Sequence, residues 1–161
     1  MTKKGIAASP GIAIGKAYVL KKEEFSILEY KIGKEEIDDE IKRFREAVRQ
    51  AKYELERIKK KAKEKIGEKE AYIFQAHLYI LEDPLLIDDT EKRIKKEKLN
   101  AEASLEKTLQ LLPTKFASVQ AEIIRERFRD IEDVGRRIMR NLLNKPTFTL
   151  SHLKEKAIII A

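Results

Sequence analysis

Two histidines, His77 and His152, and no cysteine leave this chain of 161 residues few side chains able to act as nucleophiles. No G-x-S-x-G turn exposes a serine, and no H-E-x-x-H pair stands ready for zinc. The glycines of GIAASPGIAIG fit neither a P-loop nor G-x-G-x-x-G, so they read as turn and close-packing glycines. Without thiols the chain has no disulfides and no thiolate metal site. Adjacent acids occur at Asp38-Asp39 and Asp88-Asp89. Each pair falls on a charged helical face, where solvated carboxylates are expected rather than a paired acid and base. His152 lies in a polar connection and takes no role. His77 lies in AYIFQAHLYILEDPLL, from Ala71 to Leu86. A lone histidine in such a stretch is more often packed or half-exposed than functional.

The stretch that carries His77 is the most unusual in the chain. Nine of the eleven residues from Ala71 to Leu81 are apolar or aromatic. As a helix it is apolar nearly all round, whereas an amphipathic helix needs only one apolar stripe. One face must pack on a core, and a second is left for another neighbour or a partner. Asp83-Pro84 then reads as an N-cap followed by proline at the first helical position, so the chain restarts there at a new angle.

The elements around this stretch are mostly helical. Ile37, Ile41, Phe44, Val48, Ala51, Leu55, Ile58, Ala62 and Ile66 recur in steps of three and four, predicting one helix from about Lys34 to Ile66. Gly67 is the expected stop, in the left-handed conformation. The apolar stretch forms a second helix over about 68–82, continued from Pro84 to about Lys98. Asn100 is a good N-cap for a third helix through Leu112, which Pro113 kinks or ends. A fourth covers about 120–144, with Gly135 inside it. Glycine there costs about 1 kcal/mol against alanine, and a close helix crossing is the usual reason. Asn144-Lys145-Pro146 ends the bundle.

Both ends look like β structure. Ile12 to Leu20 reads as a strand, with Ile12, Ile14, Ala17, Val19 and Leu20 available for a core, and Phe25 to Ile32 as a second short strand. AIIIA at 157–161 reads as a fully buried strand. The fold class is therefore mainly α: a helical bundle of two hairpins inserted in the start of an α/β subdomain. Residues 34–144 form the helical subdomain, and 1–33 with 145–161 form the partial α/β portion.

Composition limits the partners. Charged residues make up 39% of the chain and hydrophobic ones 42%, with a formal net charge of +7. Lys59-Lys60-Lys61 and Lys95-Lys96 stand among Glu56, Glu64, Glu91 and Glu97, which favours a solvated, salt-bridged face over a nucleic-acid patch. No apolar run approaches the roughly 18 residues of a membrane span. The basic start followed by glycine-interrupted apolar residues does not read as a signal peptide, so a cytoplasmic protein is expected. The dominance of Lys, Glu and Arg without Cys is compatible with a thermophile source.

Three motifs carry a resemblance. GIAASPGIAIGKA at 5–17 looks like the amino-terminal signature of enzyme I of the bacterial phosphoenolpyruvate:sugar phosphotransferase system. IFQAHLYILEDPLL at 73–86 resembles that family's second helix, and RERFRDIEDVGRRIMRNLL at 125–143 its fourth. They stand in the family's order, and the similarity covers the whole chain. The resemblance implies an α/β subdomain with a helical insertion that binds the phosphocarrier protein HPr. By motif position it implies an HPr surface of Glu68, Tyr72, His77, Tyr79, Ile80, Leu85, Phe116, Val119, Ile123, Ile124 and Arg127. The segment PTKFASVQAE at 113–122 departs from the family, with Ser118-Val119-Gln120 where an acidic turn is usual.

The family's phosphorylated histidine lies in a GGxTSHxAI-type motif, which neither His77 nor His152 matches. The resemblance therefore implies docking without a phospho-acceptor in this chain and no catalytic residue here. Phosphoenolpyruvate and magnesium belong to the full-length family, and no cofactor or metal is expected in this chain. Because the family dimerises through a further domain, a monomer is expected. A competing expectation is a structural or regulatory helical module with no part in phosphoryl transfer.

Overall fold

The computed structural model describes residues 9–20, 25–115, 122–146 and 156–160, with side chains for all of these except 115 and 122–127. The chain divides into two compact units. One comprises Met1–Ser26 with Phe148–Ala161, the other Ile27–Thr147.

In the first unit, β1 (Lys16–Val19) pairs in parallel with β2 (Ala157–Ile160), Lys16 opposite Ala157 and Val19 opposite Ile160. The amide of Leu20 extends the ladder to the carbonyl of Ile160 at 2.7 Å. Two segments more than a hundred residues apart thus form one ribbon, as a helical insertion requires. Burial differs from expectation. Ile12 and Ile14 are 96% exposed, Ala17 and Val19 are exposed, and only Leu20 is half-buried. Ile158, Ile159 and Ile160 are exposed as well, so the strand at 157–160 exists but is not buried. A two-stranded ribbon has no layer to bury its side chains against, whatever their hydrophobicity.

The second unit holds five helices among the described residues: α1 (Ile37–Lys65), α2 (Glu68–Ile80), α3 (Pro84–Glu97), α4 (Ala101–Lys115) and α5 (Glu122–Leu142). The α1 and α2 helices form one antiparallel hairpin, and α3 and α4 form a second. The α5 helix packs on α1, α4 and α2. Pro113 sits within α4 and does not end it. Between Ile41 and Leu55 α1 buries Ile41, Phe44, Ala47, Ala51 and Leu55, the spacing of an apolar stripe. Beyond Leu55 that stripe is only partly covered, and Ile66 is 62% exposed. The core is completed by Leu78 and Leu81, Leu86 and Ile94, Leu105 and Leu112, and Val134, Ile138 and Met139.

The helix breaks have local causes. Gly67 joins α1 to α2 at φ +113° and ψ 172°, a conformation that L side chains rarely adopt, so glycine is required there. It is not the left-handed helical stop expected for it. Asp83 caps α3 by accepting from the amide of Leu85 at 2.8 Å, with Pro84 at the first position. Gly135 lies where α5 crosses α4: a Cβ built on it would come within 2.5 Å of Leu109 Cδ1.

Phe25 to Ile32 is not a strand. It meets the α3–α4 connection at a single antiparallel bridge, Lys31 with Leu99, made by Ile32 N donating to Lys98 O at 2.9 Å and Asn100 N donating to Tyr30 O at 3.2 Å. Residues 27–33 therefore lie with the helices. Asn100 faces this segment. Its Oδ1 accepts from Tyr30 N at 3.2 Å and its Nδ2 donates to Leu28 O at 3.0 Å. Its side chain is thus spent on the neighbouring segment, and the first amide of α4, Ala101 N, donates instead to Glu40 Oε1 of α1 at 2.6 Å.

Candidate protein-docking face

The α2 helix decides what the bundle can present. Ala71 and Leu78 are buried, and Leu81 beside them closes the core side. Tyr72 and Tyr79, seven residues apart and so on one line of the helix, each lie about 100° round from these buried residues. They are 70% and 62% exposed, with Ile73 at 54% beside them. Leu85, one residue past the restart at Pro84, adds 40% exposure. Ile80 is half-buried at the edge of this patch. These are large apolar and aromatic groups in water on one helix and the turn after it, a pattern that marks an interaction surface.

His77 occupies the flank of α2 that faces α5. Its ring is half-buried, edge-on to Phe74 with centroids 6.4 Å apart. Nε2 lies 3.5 Å from Asp130 Oδ1 but without the alignment of a hydrogen bond, so that nitrogen is buried and unsatisfied. The histidine is therefore a contact residue held between two helices. Among the described residues no group of three or more His, Asp or Glu side chains could hold a metal ion.

Two acids bound the patch, and each is held by a lysine of α1. Glu68, the first residue of α2, accepts from Lys63 Nζ at 2.6 Å. That hydrogen bond and the charge behind it hold the Glu68 carboxyl below its ordinary range. Glu82 accepts from Lys52 Nζ at 2.5 Å, which raises the lysine above its usual value. Between these pairs the hairpin leaves an open groove of about 470 Å³, with Tyr79 on its α2 wall.

Of the surface expected from sequence, the structure brings together Glu68, Tyr72, His77, Tyr79, Ile80 and Leu85 on α2 and its turn into α3. Phe116 and Val119 lie outside the described residues. Ile123, Ile124 and Arg127 lie on α5, with only their backbone described. Sequence reasoning missed the polar cluster that locks the bundle. Arg43 Nη1 and Nη2 donate to the two carboxylate oxygens of Glu102, each at 2.7 Å, while Nε and Nη2 reach Glu40 at 3.0 and 2.6 Å. The i, i+3 spacing of Glu40 and Arg43 could have suggested their pair; nothing local points to Glu102.

Comparison with known proteins then settles the family. Residues 4–127 match the family described as PEP-utilising enzyme, N-terminal. The chain belongs to this family. It is similar to the phosphoenolpyruvate-protein phosphotransferases of Bacillus sp. (strain S), at 41% identity over 98% of this chain, and of Bacillus subtilis (strain 168), at 39% over 98%. It spans 27% of the length of each. A solution structure of an enzyme I protein superposes with a TM-score of 0.78 at 40% identity, covering 97% of this chain and 63% of that one. A second, titled as the N-terminal domain of Enzyme 1 - Nitrogen, shares the fold at a TM-score of 0.68 and 20% identity. The PEP-utilising amino-terminal fold is thus a bundle of two helical hairpins threaded between paired strands, as expected from sequence. No helix among its described residues is long and apolar enough to cross a membrane.

Proposed function

We propose that this chain docks the phosphocarrier protein HPr through the outer face of α2 and the turn into α3. It would then be the HPr-binding part of an enzyme I that passes a phosphoryl group from phosphoenolpyruvate to HPr for sugar uptake. One observation carries the reading: Tyr72 and Tyr79 stand 70% and 62% exposed on one line of a helix whose adjoining face is core. Such rigid aromatic anchors, packed into a partner, dominate binding energy. His77, Ile80 and Leu85 border them, and Ile123, Ile124 and Arg127 belong to the same proposed surface by their place on α5, as Phe116 and Val119 do by sequence. Glu68 contributes as a charged rim group, which alters association rate and salt dependence more than affinity.

Calorimetric titration with HPr from the same genome tests this. Tyr79→Ala and Ile124→Ala should each weaken binding more than about tenfold, or roughly 1.4 kcal/mol, with an unchanged circular dichroism spectrum. Glu68→Gln should cost less and lose its effect in high salt. No binding by the unaltered chain, or full affinity in both apolar variants, would remove the docking role from this face.

A further inference from the structure

The groove between α1 and α2 carries more positive charge than its own acids balance. Lys52, Lys59, Lys60 and Lys63 line it along α1, at spacings that keep them on one face over about 16 Å. Lys52 is matched by Glu82 and Lys63 by Glu68. Lys59 is half-buried and donates to Gln75 Oε1, a neutral amide. Among the described residues no carboxylate lies within ion-pair distance of Lys59 or Lys60. Glu56 lines the same groove without closing a pair to either.

A half-buried ammonium held only by an amide gains strongly from an anion, because a charge-assisted hydrogen bond is about twice as strong as a neutral one. A cleft lined by one sign of charge also raises the local concentration of counter-ions. The volume of about 470 Å³ falls within the range of small-molecule sites and is large for a single monovalent ion. We infer that this groove binds a small polyanion of the pyrophosphate class, its anionic groups received by Lys59 Nζ and Lys60 Nζ with Tyr79 as the opposite wall. This site adjoins the proposed docking face and shares Tyr79 with it, but the cations that would receive the anion, Lys59 and Lys60, belong to α1 and have no part in the docking reading.

The test uses the chain as it stands, with inorganic pyrophosphate as the probe, at constant ionic strength. Amide chemical shifts should move at Lys59, Lys60, Gln75 and Tyr79 with saturation in the millimolar range or below. Lys59→Gln/Lys60→Gln should lower the affinity at least tenfold, and Lys60→Gln alone should lower it measurably without touching the half-buried position. Lys95→Gln/Lys96→Gln removes the same charge from an exposed stretch of α3 and should leave binding unchanged. Equal losses in the two double variants would reduce the effect to net charge and overturn the site. So would the absence of saturable shifts. Binding of a hexaglutamate peptide but not of pyrophosphate would assign the groove to a protein segment instead.

Discussion

Arg43 of α1 and Glu102 of α4 form a two-armed ion pair, 2.7 Å on each arm, between residues 59 apart in the chain. Arg43 also holds Glu40 and reaches Leu142 O at the end of α5, at 3.4 Å. One guanidinium therefore ties α1 to the beginning of α4 and the end of α5. Burial alone would raise the Glu102 carboxyl, but the hydrogen bonds from Arg43 and Asn100 outweigh it and the group ends below its ordinary range.

A depressed carboxyl contributes stability that is present above its unfolded value and lost as pH falls through the lower folded value. Glu102→Gln should therefore cost about 1–3 kcal/mol at pH 7, below the full range for a buried pair because Arg43 is 38% exposed. The difference from the unaltered chain should shrink as pH falls from about 4.5 towards 2. Urea unfolding at neutral and acid pH measures both. A pH-independent difference would show that shape, not charge, matters at this position.

Gly135 and Leu109 set the spacing of α5 on α4. Alanine at 135 gains about 1 kcal/mol of helix propensity, which offsets the cost of turning the tip of the leucine aside. Gly135→Ala should thus change stability by less than about 1 kcal/mol, whereas Gly135→Val should destabilise by about 2 kcal/mol or more. Leu109→Ala should relieve part of the valine defect. Thermal unfolding of the double-mutant cycle reads the coupling, and simple additivity would contradict the contact.

Asn100 is 1% exposed and satisfies Leu28, Tyr30 and Glu102 at once. Truncation leaves the Leu28 carbonyl and the Tyr30 amide without it, at a cost of about 1–3 kcal/mol. Asn100→Ala should lower stability by that amount and speed hydrogen exchange at Tyr30. Asn100→Asp should be worse at neutral pH, since it sets a second carboxylate against Glu102. Unaltered exchange at Tyr30 would mean the segment is held by other contacts.

Phosphoryl transfer through a covalent carrier needs an accessible nucleophile. His77 is wedged between Phe74 and Asp130, and the proposed docking role gives this chain no phospho-acceptor. The chain alone should take up no label from phosphoenolpyruvate, and His77→Ala should weaken docking only modestly. A phosphohistidine on this chain, found by mass spectrometry, would contradict the first, and loss of HPr binding in His77→Ala the second.

Local spacing determined much of this fold. The three-and-four steps from Ile41 to Leu55 encode α1, Asp83-Pro84 encodes the restart of α3, and Gly135 announces a close crossing, because each depends on residues within a few turns of one another. The surplus apolar face of α2 was equally legible, since Tyr72, Ile73 and Tyr79 exceed what one core can cover. Tertiary structure alone decided the rest. Phe25–Ile32 alternates like a strand but meets only one bridge at Leu99, and alternation makes a strand only where a partner edge exists. Ile12, Ile14 and Ile158–Ile160 have the hydrophobicity of a core but, among the described residues, no layer over them. Asn100 has the type of a cap, yet its amide is taken by Leu28 and Tyr30, and Glu40 caps α4 in its place. Arg43 finds Glu102 for the same reason: a partner 59 residues away is chosen by packing, and no sequence spacing records it.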